Sequence, residues 1–517
     1  MGIIQPPWSS ETYGFAIAPF LLVLLPFLLL CILCPIVLLR MSRLRLPPGP
    51  PAIPVVGHLH LISKNPHHSF CELSKRYGPL IFLRFGSVPV LVASSPDTAR
   101  QILQKHDQIF SWRPRIAVSS YLFGGKDILF SQPGAYHKLL RQLAFSHLFG
   151  NKRLQSFRPI ISSEIRQLLC NVSHASNNVF VREKLYESTF SIISAMVMGE
   201  STKKINFHSP KGQSLVAALL EVVDLVGAFN VGDYFPLLAT LDLQGYEQRS
   251  KAVSQILKVI FGEVIHERRN DRENRDNKME DEDFLDALIT VSSDQKDVPI
   301  TDSHLVGILT DIFAGGIDTS AATIEWALAE LLKHPKTLKK VQDELSLVVG
   351  STRLVFESDV ENLPYLRAVV KEAMRVHPVA PLLLPHAARE QCQVYGYGVP
   401  SGTLVYINVW AIGRDPTVWG NPLEFYPERF LQSNINFRGQ HFELLPFGSG
   451  RRVCPGLALG ISNVYLMLAN LLHVFDWVTL GEMDLKEKFS SICKLADPLV
   501  AKVKLRVPRY LIEENTK

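Results

Sequence analysis

The sequence predicts a mainly α protein with a small β region, preceded by a single transmembrane helix. Three observations predict it. Apolar residues recur at helical spacing through most of the chain from about Ser95 onward. The clearest alternating stretch, Leu80 to Val92, is short and turns at Gly86, which reads as a two-stranded hairpin. Phe15 to Leu39 is a run of 25 residues without a charge.

That uncharged run is long enough to cross a bilayer as a helix with room for tilt. Pro19, Pro26 and Pro35 interrupt it, which lipid-embedded helices tolerate better than soluble ones. Glu11 precedes it, and Arg40, Arg43 and Arg45 follow. The positive-inside rule therefore places the N-terminus in the lumen and the rest of the chain in the cytosol. A cleaved signal peptide would be shorter, with its basic residues before the apolar run and a small-residue cleavage site after it. The stiff segment Pro47-Pro48-Gly49-Pro50-Pro51 comes next. It reads either as a hinge that sets the following domain against the membrane or as an ordinary linker. The expected organisation is a lumenal tip and anchor over 1–40, a basic, proline-rich hinge over 41–57, and a cytosolic domain over 58–517.

Composition narrows the function. Of the 517 residues, 47% are hydrophobic and 20% charged, with a formal net charge of +5. Those proportions fit a large core and exclude a disordered or collagen-like chain. A charge of +5 over this length gives no argument for nucleic acid. The seven cysteines, at 31, 34, 71, 170, 392, 454 and 493, are odd in number and scattered, so they form no disulfide framework. That usage suits a reducing compartment.

Helical patterns run over Ser95–Gln108, Gly134–Leu148, Gln155–Cys170, Glu183–Met198, Gly212–Val226, Leu243–Arg269 and Asp302–Lys333. The mixed-charge run from Arg268 to Asp283 reads as a solvated loop or an exposed helix end. A helix over Asp302–Lys333 is about 48 Å long and must cross most of a domain. Gly315-Gly316 sits in its middle, each glycine costing about 1 kcal/mol relative to Ala. A kink, or the close approach of a flat ligand, explains such a pair. So does a helix crossing that needs small residues. Asp318 and Thr319 follow within a turn. They read as a proton relay, or, in the alternative, Thr319 simply bonds back to the preceding turn.

Leu445 to Gly456 is Leu-Pro-Phe-Gly-Ser-Gly-Arg-Arg-Val-Cys-Pro-Gly, followed by an apolar helical pattern over Leu457–Phe475. Cys454 thus sits on a tight loop just before a helix N-terminus, where a thiolate is stabilised. No second Cys or His stands at zinc spacing, and no Cys-x-x-Cys-His occurs. One thiolate with Arg451 and Arg452 beside it suits haem, the arginines meeting its carboxylates. The alternative for a lone Cys is an inert buried side chain. Glu372-x-x-Arg375 places an acid and a base one turn apart on a helix. Arg429, in the segment Pro422 to Phe430, can close a Glu372–Arg375–Arg429 network that fixes the loop before Cys454.

Together these motifs resemble the cytochrome P450 family over essentially the whole chain. Phe447-x-x-Gly450-x-Arg452-x-Cys454-x-Gly456 matches its haem-loop signature, and Gly315 to Ser320 matches its oxygen-activation motif. The resemblance implies one mainly α domain in which the long central helix lies over haem b. It implies Cys454 as the axial iron ligand, Asp318 and Thr319 as catalytic proton donors, and Arg452 on a propionate. Phe447, Gly450 and Gly456 shape the loop. It also implies O2 as co-substrate and NADPH electrons delivered by cytochrome P450 reductase. Arg141 is retained for the propionates, whereas His137 stands where the family has Trp; His386 falls at another propionate position. The implied substrate pocket is apolar: Ala117 and Phe123 within the stretch Ile116–Phe123, then Ala314, Val379, Ala380, Leu382, Leu383 and Leu384.

Within the family, Pro47–Pro51, Phe425–Phe430 and Gly439–Phe447 resemble plant microsomal A-type enzymes, in the group of flavone and isoflavone synthases. That implies an endoplasmic-reticulum monooxygenase acting on a flavonoid or other phenylpropanoid, with a terpenoid as the alternative. Lys333, Lys336, Lys339, Lys340 and Arg451 read either as a docking surface for an acidic reductase or as solvated positions. An oxygen-independent isomerase or dehydratase is the rival enzyme reading, which the Asp318-Thr319 pair opposes. A non-catalytic haem protein is the third, which Cys454 and Glu372-x-x-Arg375 oppose.

Overall fold

The computed structural model describes residues 44–175, 178–199, 205–273, 283–294 and 300–513. The expected anchor over Phe15–Leu39 lies outside them, as do positions 274–282 of the charge run. Helices dominate. Those that build the site are α1 (Pro66–Tyr77), α2 (Ala135–Ala144), α3 (Val181–Met198), α4 (Pro210–Gly227), α5 (Asp302–Lys333), α6 (Pro364–Val376) and α7 (Leu457–Val474). The small β region contains β1 (Leu80–Phe85), β2 (Val88–Ala93), β3 (His386–Ala387), β4 (Leu404–Ile407), β5 (Glu487–Phe489) and β6 (Cys493–Leu495). One sheet has the order β1-β2-β4-β3, with β2 and β4 parallel and the other two pairings antiparallel. β5 and β6 form a separate antiparallel pair.

The expected hairpin is β1–β2, with Phe85 opposite Val88. Gly86 turns it at φ +54°, and a Cβ there would meet the Tyr234 carbonyl oxygen at 2.4 Å. Only glycine combines that dihedral with that approach. Pro48 does not swing free. Its carbonyl accepts from Phe82 N–H at 3.0 Å, and Pro50 O lies 2.8 Å from His58 Nε2, so this stretch is tied to β1.

α5 has the bounds the pattern predicts. Thr301 is extended and its N–H donates to His304 Nδ1 at 3.1 Å, which supports the start. His334 ends the helix directly before Pro335. Most of α5 is buried, Phe313 and Trp326 almost completely, and it packs on α3, α4, α6 and α7. Each large apolar side chain so buried contributes about 1.5–3 kcal/mol. The helical stretch expected over Ser95–Gln108 is instead three short pieces, Pro96–Arg100, a π turn Gln101–Lys105 and Asp107–Phe110. Arg268 is a correction to the solvated charge run: it is buried and pairs with Asp283 and Asp286 at 2.6 and 2.8 Å.

Candidate active site

The cysteine loop is held by backbone bonds and two left-handed glycines. Cys454 N–H donates to Phe447 O at 3.0 Å, and Arg141 Nη1 donates to Val453 O at 3.0 Å. Gly448 and Gly450 have φ of +68° and +72°. A Cβ on Gly450 would lie 2.1 Å from Leu103 O, so the loop seats directly on that backbone. α7 begins three residues after Cys454. Burial pushes the Cys454 thiol up, opposed by the Gly456 N–H and the Arg141 charge.

Behind the loop, Glu372 and Arg375 are completely buried on α6 and joined by two bonds of 2.7 Å. Arg429 Nε and Tyr426 N–H also donate to Glu372, at 3.0 and 2.8 Å. Arg375 further donates to the carbonyls of Gly413, Pro422 and Glu424. The network is therefore fully satisfied, the condition under which buried charge is tolerated.

Cys454 faces a largely apolar cavity of about 320 Å³ beneath α5. Phe447, Gly456, Ala314, Thr319, Phe123, Val379, Ala380, Leu383 and Leu384 line it. Leu382 and Ala117 do not. Leu382 packs with Phe70 and Ile81 in the core of the small sheet, on the opposite side of the chain from Leu383. Ala117 opens a short helix and donates its N–H to Asp233 at 2.7 Å. The lining that the sequence reading missed comes from α3 and α4, through Ile193, Val222, Val223 and Val226, and from Ser491 and Ile492 between β5 and β6.

The two glycines of α5 divide the readings offered for them. A Cβ on Gly315 would meet nothing within 4 Å, because this position opens on the cavity. A Cβ on Gly316 would strike Ile193 at 2.7 Å, where α5 crosses α3. Thr319 Oγ1 donates to Gly315 O at 2.6 Å. Asp318 does not line the cavity. It is buried on the far side of α5, where Tyr186 donates to it at 2.6 Å and Lys494 Nζ pairs with it at 2.9 Å.

One end of the cavity is basic. Arg113, His137, Arg141, His386 and Arg452 all line it. Arg113 was missed in the sequence, and its signal is a lone Arg between Trp112 and Pro114. Its guanidinium donates to Leu129, Leu384 and Pro385 carbonyls. Arg452 donates to Ser111 O and Ser131 O at 2.7 and 2.5 Å and lies 3.1 Å from His137 Nδ1. Burial, then the charge of Arg452, lowers Arg113 to about 9. Burial, then Arg141, lowers Arg452 to about 10. Burial and the surrounding arginines hold His137 and His386 neutral, each near 3. Three buried guanidiniums, Arg452 lowering Arg113 and Arg141 lowering Arg452 on top of burial, are electrostatically poised for anionic carboxylates. One thiolate at the cavity wall, this basic end and the open face at Gly315 fit a flat dicarboxylate macrocycle bound through Cys454.

The sequence matches the family model for cytochrome P450 over residues 47–503. This chain belongs to the cytochrome P450 family. It is 39% identical to cytochrome P450 76C2 of Arabidopsis thaliana over 88% of this chain and 91% of the relative. It is 36% identical to 3,9-dihydroxypterocarpan 6A-monooxygenase of Glycine max over 93% of this chain and 98% of the relative. A zebra fish cytochrome P450 solved with progesterone has the same fold, with a TM-score of 0.72 and 29% identity over 85% of this chain and 99% of that one. The protein is a plant A-type cytochrome P450 monooxygenase. It uses thiolate-ligated haem, O2 and NADPH electrons passed through the reductase, and acts on a hydrophobic substrate.

Proposed function

We propose that this cytochrome P450 oxidises a flat, hydrophobic phenolic of plant specialised metabolism, of the flavonoid or phenylpropanoid class. The observation that carries the reading is the cavity lining: Ile193, Val222, Val223, Ala314 and Val379 supply an apolar slot, with Asp311, Ser320 and Thr323 as sparse polar anchors. The similarity to the Glycine max pterocarpan monooxygenase supports the phenolic class. A terpenoid is the second reading, favoured by the zebra fish relative solved with progesterone.

Haem bound through Cys454 supplies activation of O2 and insertion of one oxygen atom into substrate. Arg452, Arg141 and Arg113 would hold its carboxylates, with neutral His137 adding a hydrogen bond, whereas His386 donates its N–H to Phe110 O and shapes the wall. Thr319 presents a hydroxyl on the cavity face of α5, and its proton reaches the cavity only when the hydroxyl turns away from Gly315 O. Asp318 refills that proton only when its contacts to Tyr186 and Lys494 open, since both of its oxygens are engaged. The segment Phe15–Leu39 anchors the chain in the endoplasmic-reticulum membrane, with residues 58–517 as the cytosolic domain. Lys333 and Lys336 offer cationic docking surface to the reductase, whereas Lys339, Lys340 and Arg451 are paired with Asp343, Glu428 and Asp107.

The test is a substrate panel on microsomes that co-express the reductase. Flavonoids and then terpenoids are scored by the substrate-induced haem difference spectrum and by NADPH-dependent product. Conversion of a flavonoid with terpenoids inert supports the reading. The reverse pattern replaces it with the terpenoid reading.

A further inference from the structure

A second cluster of ligand-type side chains lies apart from the cysteine loop, where α1 meets the β5–β6 pair. His67 Nε2 lies 2.8 Å from Glu487 Oε1, and His68 Nε2 lies 2.5 Å from the same oxygen. Cys493 Sγ lies 3.2 Å from Glu487 Oε2. The ligand atoms of His67, Glu487 and Cys493 all fall within 4.8 Å of one another. Two regions 420 residues apart in sequence, α1 and the β5–β6 pair, converge to make this cluster, and most of it is buried: His67 is 0% exposed and Cys493 3%.

Hydrogen bonding alone leaves the cluster incomplete. His68 Nε2 is buried 2.5 Å from Glu487 Oε1 outside hydrogen-bond geometry, and that same oxygen already meets His67 Nε2. A buried polar group left this way calls for a missing participant, such as water or an ion. One imidazole, one carboxylate and one thiol form a mixed nitrogen, oxygen and sulfur set that suits zinc with water in its fourth position, whereas calcium and magnesium select oxygen. The carboxylate and a Cys493 thiolate together cancel the charge of a divalent cation. Burial and then the Glu487 charge hold the Cys493 thiol protonated without a metal, opposed by the Arg414 charge, while, against burial, the His67 contact holds Glu487 down at about 2, in its anionic form. His68, 41% exposed at the side chain, supplies the entry path.

We propose that His67, Glu487 and Cys493 bind one zinc ion, with water in the fourth position, that clamps the β5–β6 pair to α1. Binding replaces the Cys493 S–H bond with a Zn–S bond and releases that proton to solvent. The residues between the two strands include Ser491 and Ile492, which line the cavity. Cys493 N–H is bonded to Val379 O at 2.7 Å, and Val379 also lines the cavity. The ion therefore stiffens one wall of the substrate site from outside it.

The test dialyses haem-loaded full-length protein against micromolar free zinc sulfate and measures metal content. The expected result is about one zinc per haem, with affinity reduced about 100-fold in Cys493→Ser and in His67→Gln. An unchanged reduced carbon-monoxide spectrum in those variants shows that they fold. Zinc-edge X-ray absorption on the unsubstituted protein needs no variant. It should show one sulfur at about 2.3 Å and lighter ligands at about 2.0–2.2 Å. Substoichiometric zinc, a shell of only nitrogen and oxygen, or equal affinity in the variants overturns the proposal.

Discussion

The Glu372–Arg375–Arg429 network and the basic end of the cavity both bury guanidinium groups, yet they are built on opposite principles. In the network every charge has a counter-charge or a carbonyl, and Glu372 accepts from two arginines and a backbone N–H. At the cavity end Arg113 and Arg452 meet carbonyls and, for Arg452, the neutral His137, and burial and then a neighbouring arginine lower each of them. The first region is complete without a ligand and serves as scaffold. The second is complete only when something anionic enters. A buried cluster of like charge marks a binding site more surely than a buried ion pair does.

The most severe way to break this contrast is to remove the one group the ligand shares with the scaffold side. Cys454→Ala should abolish the red-shifted reduced carbon-monoxide band and all NADPH-dependent turnover. A retained band would assign the axial ligand elsewhere. Next in size is Glu372→Gln. It leaves Arg375 and Arg429 buried without a counter-charge, and breaking such a pair costs about 3–5 kcal/mol. The expected outcome is a lower melting temperature and a sharply reduced yield of haem-loaded protein. Wild-type melting would show that the network is not structural.

The sequence revealed the scaffold more fully than it revealed the cavity, for a physical reason. α5 was legible to its ends because Thr301 and Pro335 bracket a continuous apolar pattern. The cysteine loop was legible because Gly450 must pass within contact of Leu103 O and leaves its mark as glycine. The cavity walls were not. Val222 and Val223 look like any apolar residues of an amphipathic helix, and only the packing of α4 over α5 turns them inward. Leu382 and Leu383 are identical in sequence, and the left-handed φ of +53° at Leu383 accompanies their division between sheet core and cavity. Asp318 shows the converse limit. A motif fixes its position on the helix, while the partners that hold it, Tyr186 and Lys494, lie 132 and 176 residues away.

A smaller effect sharpens the contrast from the cavity side. Arg113→Met removes one of three crowded cations without touching Cys454. Haem should pass to excess apomyoglobin about tenfold faster, the equivalent of roughly 1.4 kcal/mol of lost carboxylate binding. The carbon-monoxide band should keep its position, because the thiolate ligand is intact. An unchanged transfer rate would confine Arg113 to its carbonyl contacts.

The smallest effect concerns the acidic pair beside the basic end. Burial and then the charge of Asp127 push Asp311 well up, and Asp311 accepts from Ile128 and Leu129 N–H at 2.8 Å. Burial lifts Asp127 to about 7 from an ordinary 3.8, against the Phe130 N–H and the charges of Arg452 and Arg113. One Asp127 oxygen has no partner, so ionising it in place is costly. The folded chain therefore holds a proton that the unfolded chain has released. Its stabilising contribution is full below the unfolded value near 3.8 and is lost as pH rises through about 7. Asp127→Asn keeps the acceptor for Phe130 N–H and deletes the titration. Between pH 6 and 8 the wild-type melting temperature should fall by about 1–3 °C more than that of the variant. Parallel curves would mean that Asp127 is already ionised and that the guanidiniums of the cavity end serve it as counter-charges. The contrast between a self-sufficient scaffold and a ligand-dependent cavity would then narrow to Arg141 alone.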